Sequence, residues 1–121
     1  MKVTDLLADL EYHDADVYAQ PLYVSKEGRV LRFMLKPGQG IRQHNAPSSP
    51  FYVVMLKGRG MFTDAAGAEE QVGPGSLLLF DPGENHAIQA LDEELVFVGF
   101  LHGAPGNTGE RVGGEMGRQE N

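Results

Sequence analysis

The chain has 121 residues, 41% of them hydrophobic and 22% charged, with a formal net charge of −7. That length holds one domain with a proper core, and the ten lysines and arginines are too scattered to form a phosphate-binding surface for nucleic acid. Cysteine is absent, which excludes disulfides, thiolate nucleophiles and cysteine-based zinc sites.

The first sixteen residues, "MKVTDLLADLEYHDAD", are acidic and periodic rather than basic and uniformly apolar, so they do not read as a signal peptide. No apolar run approaches the length of a membrane span. The expectation is a soluble, cytoplasmic protein with neither a membrane nor a nucleic-acid partner. Within this segment residues 4–10 predict a short helix, with Thr4 as the N-cap and Asp5 favouring the first turn.

Helical periodicity then stops. Short strand-like runs follow, each closed by Gly, Pro or Asp: 17–24, 29–36, 43–45, 51–57, 60–63, 69–72, 76–80, 87–91 and 95–101. Many short strands with no helix between them predict an all-β sandwich or barrel. Three runs, "FYVVML", "LLLF" and "LVFVGFL", are apolar on both faces. A strand with one wet face should alternate. The outer face is therefore expected to be covered, by a second subunit in a homodimer or by the N-terminal segment folding back. From Gly103 the sequence is glycine-rich and nearly devoid of large apolar residues, which predicts a flexible tail over 103–121.

Two stretches carry a more specific spacing. In "GQGIRQHNAPSSPFYVVMLKG", Gly38 is followed after five residues by His44, then Asn45 and Ala46, with Phe51 and Gly58 further on. In "GSLLLFDPGENHAIQA", Gly75 is followed after five residues by Asp81, then Gly83, His86 and Ala90. This resembles the two motifs of the cupin superfamily, in particular its small single-domain members. The resemblance spans 37–90 and implies a double-stranded β-helix, or jelly-roll barrel. It divides the chain into an N-terminal arm or short helix over 1–16, a barrel over 17–102 and the tail over 103–121. The family holds a metal through His-x-His, a glutamate and a further histidine. Here Ala46 stands at the second histidine position and Phe51 at the glutamate position, so only His44 and His86 keep a donor. Asp81 replaces the usual proline and Ala90 the usual asparagine. The "HNAP" form also resembles a branch of small cupins with His-x-Ala-Pro.

Two imidazoles alone hold a divalent transition metal weakly, because a zinc site normally has three protein ligands and the iron triad adds a carboxylate. Strand alternation points Gln43 and Tyr52 away from His44 and Phe51. His13 and His102 lie outside the motif strands. The expected pocket is therefore His44, Ala46, Phe51, Met55 and His86, with His44 and His86 as the metal candidates and the cofactor itself left open. Two function classes follow. One is a protein that binds a small organic ligand in an apolar pocket, with a weakly held divalent metal as an option. The other is an enzyme: a metal-free isomerase using His44 and His86 as acid and base, or a metal-dependent oxygenase or lyase completed by a residue outside the motifs. Tyr18 and Tyr23 are candidate hydroxyl donors, and Arg42 a candidate for an anionic group. Met34, Met55 and Met61 read as packing. Asp92, Glu93 and Glu94 read as a solvated turn.

Overall fold

Residues 1–103 are described by the computed structural model; the tail expected over 103–121 lies, from 104 onward, outside the described residues. The strands are β1 Tyr18–Val24, β2 Gly28–Leu35, β3 Gly40–His44, β4 Phe51–Lys57, β5 Gly60–Thr63, β6 Glu69–Val72, β7 Leu77–Phe80, β8 His86–Ala90 and β9 Leu95–His102. They make two antiparallel sheets. Sheet A has the order β1-β2-β9-β4-β7 and sheet B the order β3-β8-β5-β6. This is the all-β, double-stranded β-helix arrangement that the sequence led us to expect.

Period-2 alternation decides what fills the space between the sheets. On β2 the inward residues are Arg29, Leu31, Phe33 and Leu35; on β4 they are Phe51, Val53 and Met55; on β9 they are Leu95, Phe97, Gly99 and Leu101. The aromatic rings interlock. Phe33 stacks on Phe97 at 4.7 Å, Phe62 meets Phe97 edge-on at 5.9 Å, and Phe33 meets Phe51 edge-on at 6.2 Å. Gly99 is the residue that lets Phe51 in, because a Cβ there would overlap the Phe51 ring.

The outward face of sheet A explains the doubly apolar strands. Val96, Val98 and Met34 point outward yet are buried, because the N-terminal arm lies across them. Arg32, also outward on β2, pins the arm. Its Nη1 donates to the carbonyls of Leu6 (3.1 Å) and Ala8 (3.0 Å), and its Nη2 donates to the carbonyl of Asp9 (3.5 Å). Gln20 Oε1 accepts from Nε and Nη2 of the same guanidinium. Further along the arm, the Glu11 N–H donates to the Met34 sulfur (3.3 Å), and the His13 ring stacks on Tyr18 at 4.2 Å.

The short helix expected over 4–10 is not formed. One turn closes, with Ala8 N–H donating to the Asp5 carbonyl, and Asp9 then takes a positive φ of 53°. The carbonyls that would carry a helix forward are spent on Arg32 instead. A seven-residue helix is marginal in water, so the competing bonds to a buried guanidinium win.

Replacing Arg32 by leucine removes the donors and strands three arm carbonyls. We expect a loss of about 2–4 kcal/mol in urea unfolding, together with proteolytic cleavage within the first twelve residues under native conditions. Unchanged stability with an intact arm would show that the guanidinium does not hold it.

Candidate functional site

One end of the barrel is closed by the turn before β2, the loop between β3 and β4, and the loop between β7 and β8. His44 is the last residue of β3 and His86 the first of β8, and the two are register partners. A bulge between Ile41 and His44 resets the alternation so that both rings turn to the same side. Their centroids are 4.4 Å apart at 66°. His86 is 1% exposed and packs against a pair of phenyl rings, Phe51 (5.1 Å, 18°) and Phe80 (4.4 Å, 26°), which also contact each other at 6.3 Å. The loops are joined above the pair: Gly83 N–H donates to the Ala46 carbonyl (2.8 Å), and the Asn45 amide donates to Asn85 Oδ1 (2.7 Å).

The hydrogen bonds fix the tautomer of each ring. His44 Nδ1 lies 2.9 Å from the Arg42 carbonyl and His86 Nδ1 lies 3.1 Å from the Glu84 carbonyl. A carbonyl oxygen can only accept, so both Nδ1 atoms carry the proton and both Nε2 atoms are bare lone pairs. Both Nε2 atoms are buried without a hydrogen-bond partner. Burial lowers the pKa of both rings. For His86, burial and then the neighbouring His44 push it down to about 3, against the opposing bond to the Glu84 carbonyl. At neutral pH both rings are uncharged, and each presents a buried acceptor at Nε2.

Of the residues expected in the pocket, His44, His86 and Phe51 meet at the mouth, and Ala46 is buried in the loop above. Met55 does not join them: it lies four residues along β4 from Phe51 and pairs with Phe97 in the core. His13 is held on the outer face by Glu11 and Tyr18. His102 points outward against Tyr52 at 5.6 Å. Tyr23 is 56% exposed on the outer face of sheet A. Arg42 is exposed on β3. Glu94, in the acidic turn, pairs with Lys57 at 3.0 Å.

Sequence reading missed Arg29. It is 2% exposed and shares the inward row Phe80, Phe51, Leu101, Arg29 at the mouth. Its Nη2 donates to the His102 carbonyl at 3.4 Å. The available signal was parity: in "GRVLRFML" residue 29 shares a face with Leu31, Phe33 and Leu35, and residue 32 does not.

A double-stranded β-helix with two histidines at one mouth defines the class, and sequence comparison supplies the family. Residues 31–100, more than half of the chain, match the family model described as "Cupin domain". The chain belongs to the cupin family. Among solved structures, a double-stranded β-helix protein from Klebsiella pneumoniae superposes with a TM-score of 0.79 at 19% identity, covering 90% of this chain and 94% of that one. An RmlC-like cupin from Desulfovibrio desulfuricans gives 0.75 at 22%, covering 84% and 96%. KdgF from Halomonas gives 0.74 at 9%, covering 88% and 98%. At these identities the likeness is one of fold. No curated protein matches the chain.

The family implies a metal at this place, so the donor set must be tested against one. Two Nε2 lone pairs are available, but Ala46 and Phe51 offer none, and the Phe51 ring occupies the space beside His86. Among the described residues there is no group of three or more His, Cys, Asp or Glu side chains able to hold a metal ion. Two neutral imidazoles do not close a coordination shell. The residues present do not fit a tightly held cation.

The buried neutral imidazole gives a pH signature. Above the ordinary value of 6.5, His86 is uncharged folded or unfolded. Between 6.5 and about 3 only the unfolded chain takes the proton, so stability falls as pH falls and levels off below 3. The full contribution is about 5 kcal/mol. His86→Phe, which keeps the stack, is expected to remove most of this slope. Parallel unfolding curves for the two proteins from pH 7 to pH 4 would contradict a neutral His86.

Proposed function

We propose that this protein binds a small organic molecule at the mouth of the barrel, between His44 and His86, without turning it over. The observation that carries the reading is the pair of buried, partnerless Nε2 lone pairs. Each buried acceptor left unmet costs about 1–3 kcal/mol, and a ligand that donates O–H or N–H hydrogens to them recovers that cost. Phe51, Phe80 and Ala46 give the ligand's carbon skeleton an apolar bed.

The enzymatic alternatives draw less support from the same geometry. A general acid or base works best with a pKa near the operating pH, and a histidine held near 3 is both rarely protonated and a weak base. The oxygenase or lyase reading needs a third metal donor, and His13 and His102 are both turned elsewhere. The cytoplasmic placement expected from the acidic N-terminal segment belongs to the proposal.

Cyclohexanol, a neutral alcohol of modest size, is a suitable probe. Its titration should shift the Nε2 nitrogen resonances of His44 and His86 and leave their Nδ1 resonances in place, and His44→Ala should weaken its binding at least tenfold. Unmoved resonances would overturn the reading. So would a stoichiometric transition metal retained by tag-free protein through chelation and dialysis, which would make a metal-dependent enzyme the better account.

The partner we propose is a second copy of the chain, on the outer face of sheet A. Leu79, Tyr52, Phe100, Val30 and Tyr23 are successive register partners across all five strands and form one outward row. The arm comes to the edge of the row at Leu22, whose carbonyl accepts from Lys2 Nζ (3.0 Å). Leu79, Leu77 and Phe100 are 64%, 63% and 37% exposed, and a concavity of about 440 Å³ runs beside Tyr23, Tyr52 and Phe100. No residue in the row is charged, so two copies can meet across a two-fold axis without burying an unpaired ion. The sheet ends agree. β1 carries Pro21 and a bulge, β3 a bulge and β6 two glutamates, whereas β7 is Leu-Leu-Leu-Phe with no such guard. Light scattering should give a dimer at micromolar concentration, and Leu77→Lys with Leu79→Lys a folded monomer. A monomer from the unaltered protein would refute this partner.

A further inference from the structure

We infer that Asp64 is the specificity-determining residue of the pocket and that the ligand carries a protonated amine beside its hydroxyl. The inference rests on the pocket reading above and narrows it to a chemical class.

Two cavities meet where the chain leaves β5. The smaller, about 100 Å³, has Gln43, Thr63, Asp64 and His86 in its wall. The larger, about 210 Å³, shares Thr63 and Asp64 and continues over Phe62, Leu78 and Phe80, with Glu84 at its side. Phe80 is one of the two rings that pack on His86. Polar groups thus gather at one end and apolar groups at the other. His86 is what calls for a ligand here: the side chain is 1% exposed, and its Nε2 is a buried acceptor with no partner.

Asp64 continues the inward row of Gly60 and Phe62 just past the end of β5, because its N–H still bonds across the hairpin to the Ala68 carbonyl (3.0 Å). Its Oδ1 accepts from the N–H groups of Ala66 and Ala68, both at 2.9 Å. These bonds hold the side chain still, and asparagine would supply the same acceptor. The turn therefore uses the oxygen and not the charge. Oδ2 has no partner among the described residues, and no lysine or arginine among them lines either cavity. A half-buried carboxylate without a counter-charge favours a cation that donates hydrogens to it. Glu84 adds a second negative charge beside the larger cavity, and the chain's net charge of −7 draws cations from a distance. The smaller cavity takes only a few water-sized groups. Ammonium and hydroxyl then sit on neighbouring carbons, the first donating to Asp64 Oδ2 and the second to His86 Nε2, while the carbon skeleton lies over Phe62 and Phe80. The ligand class is a vicinal amino alcohol.

The test uses trans-2-aminocyclohexanol and the neutral trans-cyclohexane-1,2-diol, added to the full chain at neutral pH and physiological ionic strength. Binding is followed by calorimetry and by the carboxyl carbon resonance of Asp64. The amine should bind at least tenfold more tightly than the diol and move that resonance, which the diol leaves in place. Asp64→Asn, which keeps the Oδ1 acceptor, should bring the amine down to the level of the diol. Glu93→Gln, in the exposed turn at the far end of β8 from His86, makes the same change in net charge and should keep the preference. Should Asp64→Asn not fold, the amine-to-diol ratio and the Asp64 resonance of the unaltered protein decide the matter. Equal binding of amine and diol would overturn the assignment and leave the pocket reading standing. So would a preference that survives Asp64→Asn, or one that Glu93→Gln abolishes equally, since the cation would then be held elsewhere or by the overall charge. Failure of both probes while cyclohexanol still binds counts against Asp64 in the same way. Failure of cyclohexanol as well is the failure of the pocket reading, and the assignment falls with it.

Discussion

The ring of Phe51 is the contact on which the mouth of this barrel depends. It sits over Gly99, where a side chain would displace it, and meets Phe33 edge-on within sheet A. Its other face is turned to His86 of sheet B. One side chain thus fixes the spacing of the sheets at the end where the histidines are. The same contact sets the electrostatics. An imidazole buried against two phenyl rings has lost its water, and the desolvated ring stays neutral. Packing has decided protonation here. A glutamate at position 51, as the family motif has it, would reverse both consequences by opening the stack and bringing in a negative charge.

Much of this was legible in the sequence, because it depends on local rules. The limits of β4, β5 and β6 follow from glycine and proline punctuation, and the other strands lie within a few residues of expectation. The largest shift is at β3, which begins at Gly40 rather than at 43. The spacing from Gly38 to His44 and from Gly75 to His86 placed two histidines at one mouth, since strand length and turn length determine which ends meet. The N-terminal helix was misread because local propensity was the only signal there. What decided the matter was a guanidinium more than twenty residues away in sequence, drawing off the carbonyls of Leu6, Ala8 and Asp9. Met55, expected at the pocket, shares an inward face with Phe51. Face alone does not give depth, and four residues along a strand carry a side chain about 13 Å away.

Arg29 and Arg32 show how three positions on one strand separate two roles. Odd parity sends Arg29 into the barrel and even parity sends Arg32 out beneath the arm. Arg32 is answered by neutral oxygens, four acceptors around a fork with five donors, and its work is to fold the chain over Val96, Val98 and Met34. That covering is partial. It leaves the row through Tyr52 and Phe100 open, so the two explanations for the doubly apolar strands divide the face between them. The arm takes the lower rows, and the proposed second copy takes the upper one.

The choice between a cation and a hydrogen-bond donor at the histidine pair turns on donor count. Two Nε2 lone pairs can be met by a metal ion or by O–H and N–H hydrogens. A dication would have to approach with only two protein ligands, because Ala46 and Phe51 offer no donor. A neutral hydroxyl meets the lone pairs at no electrostatic cost. Donor loss at positions 46 and 51 therefore weakens a site for a metal and leaves a pair of acceptors suited to an organic hydroxyl.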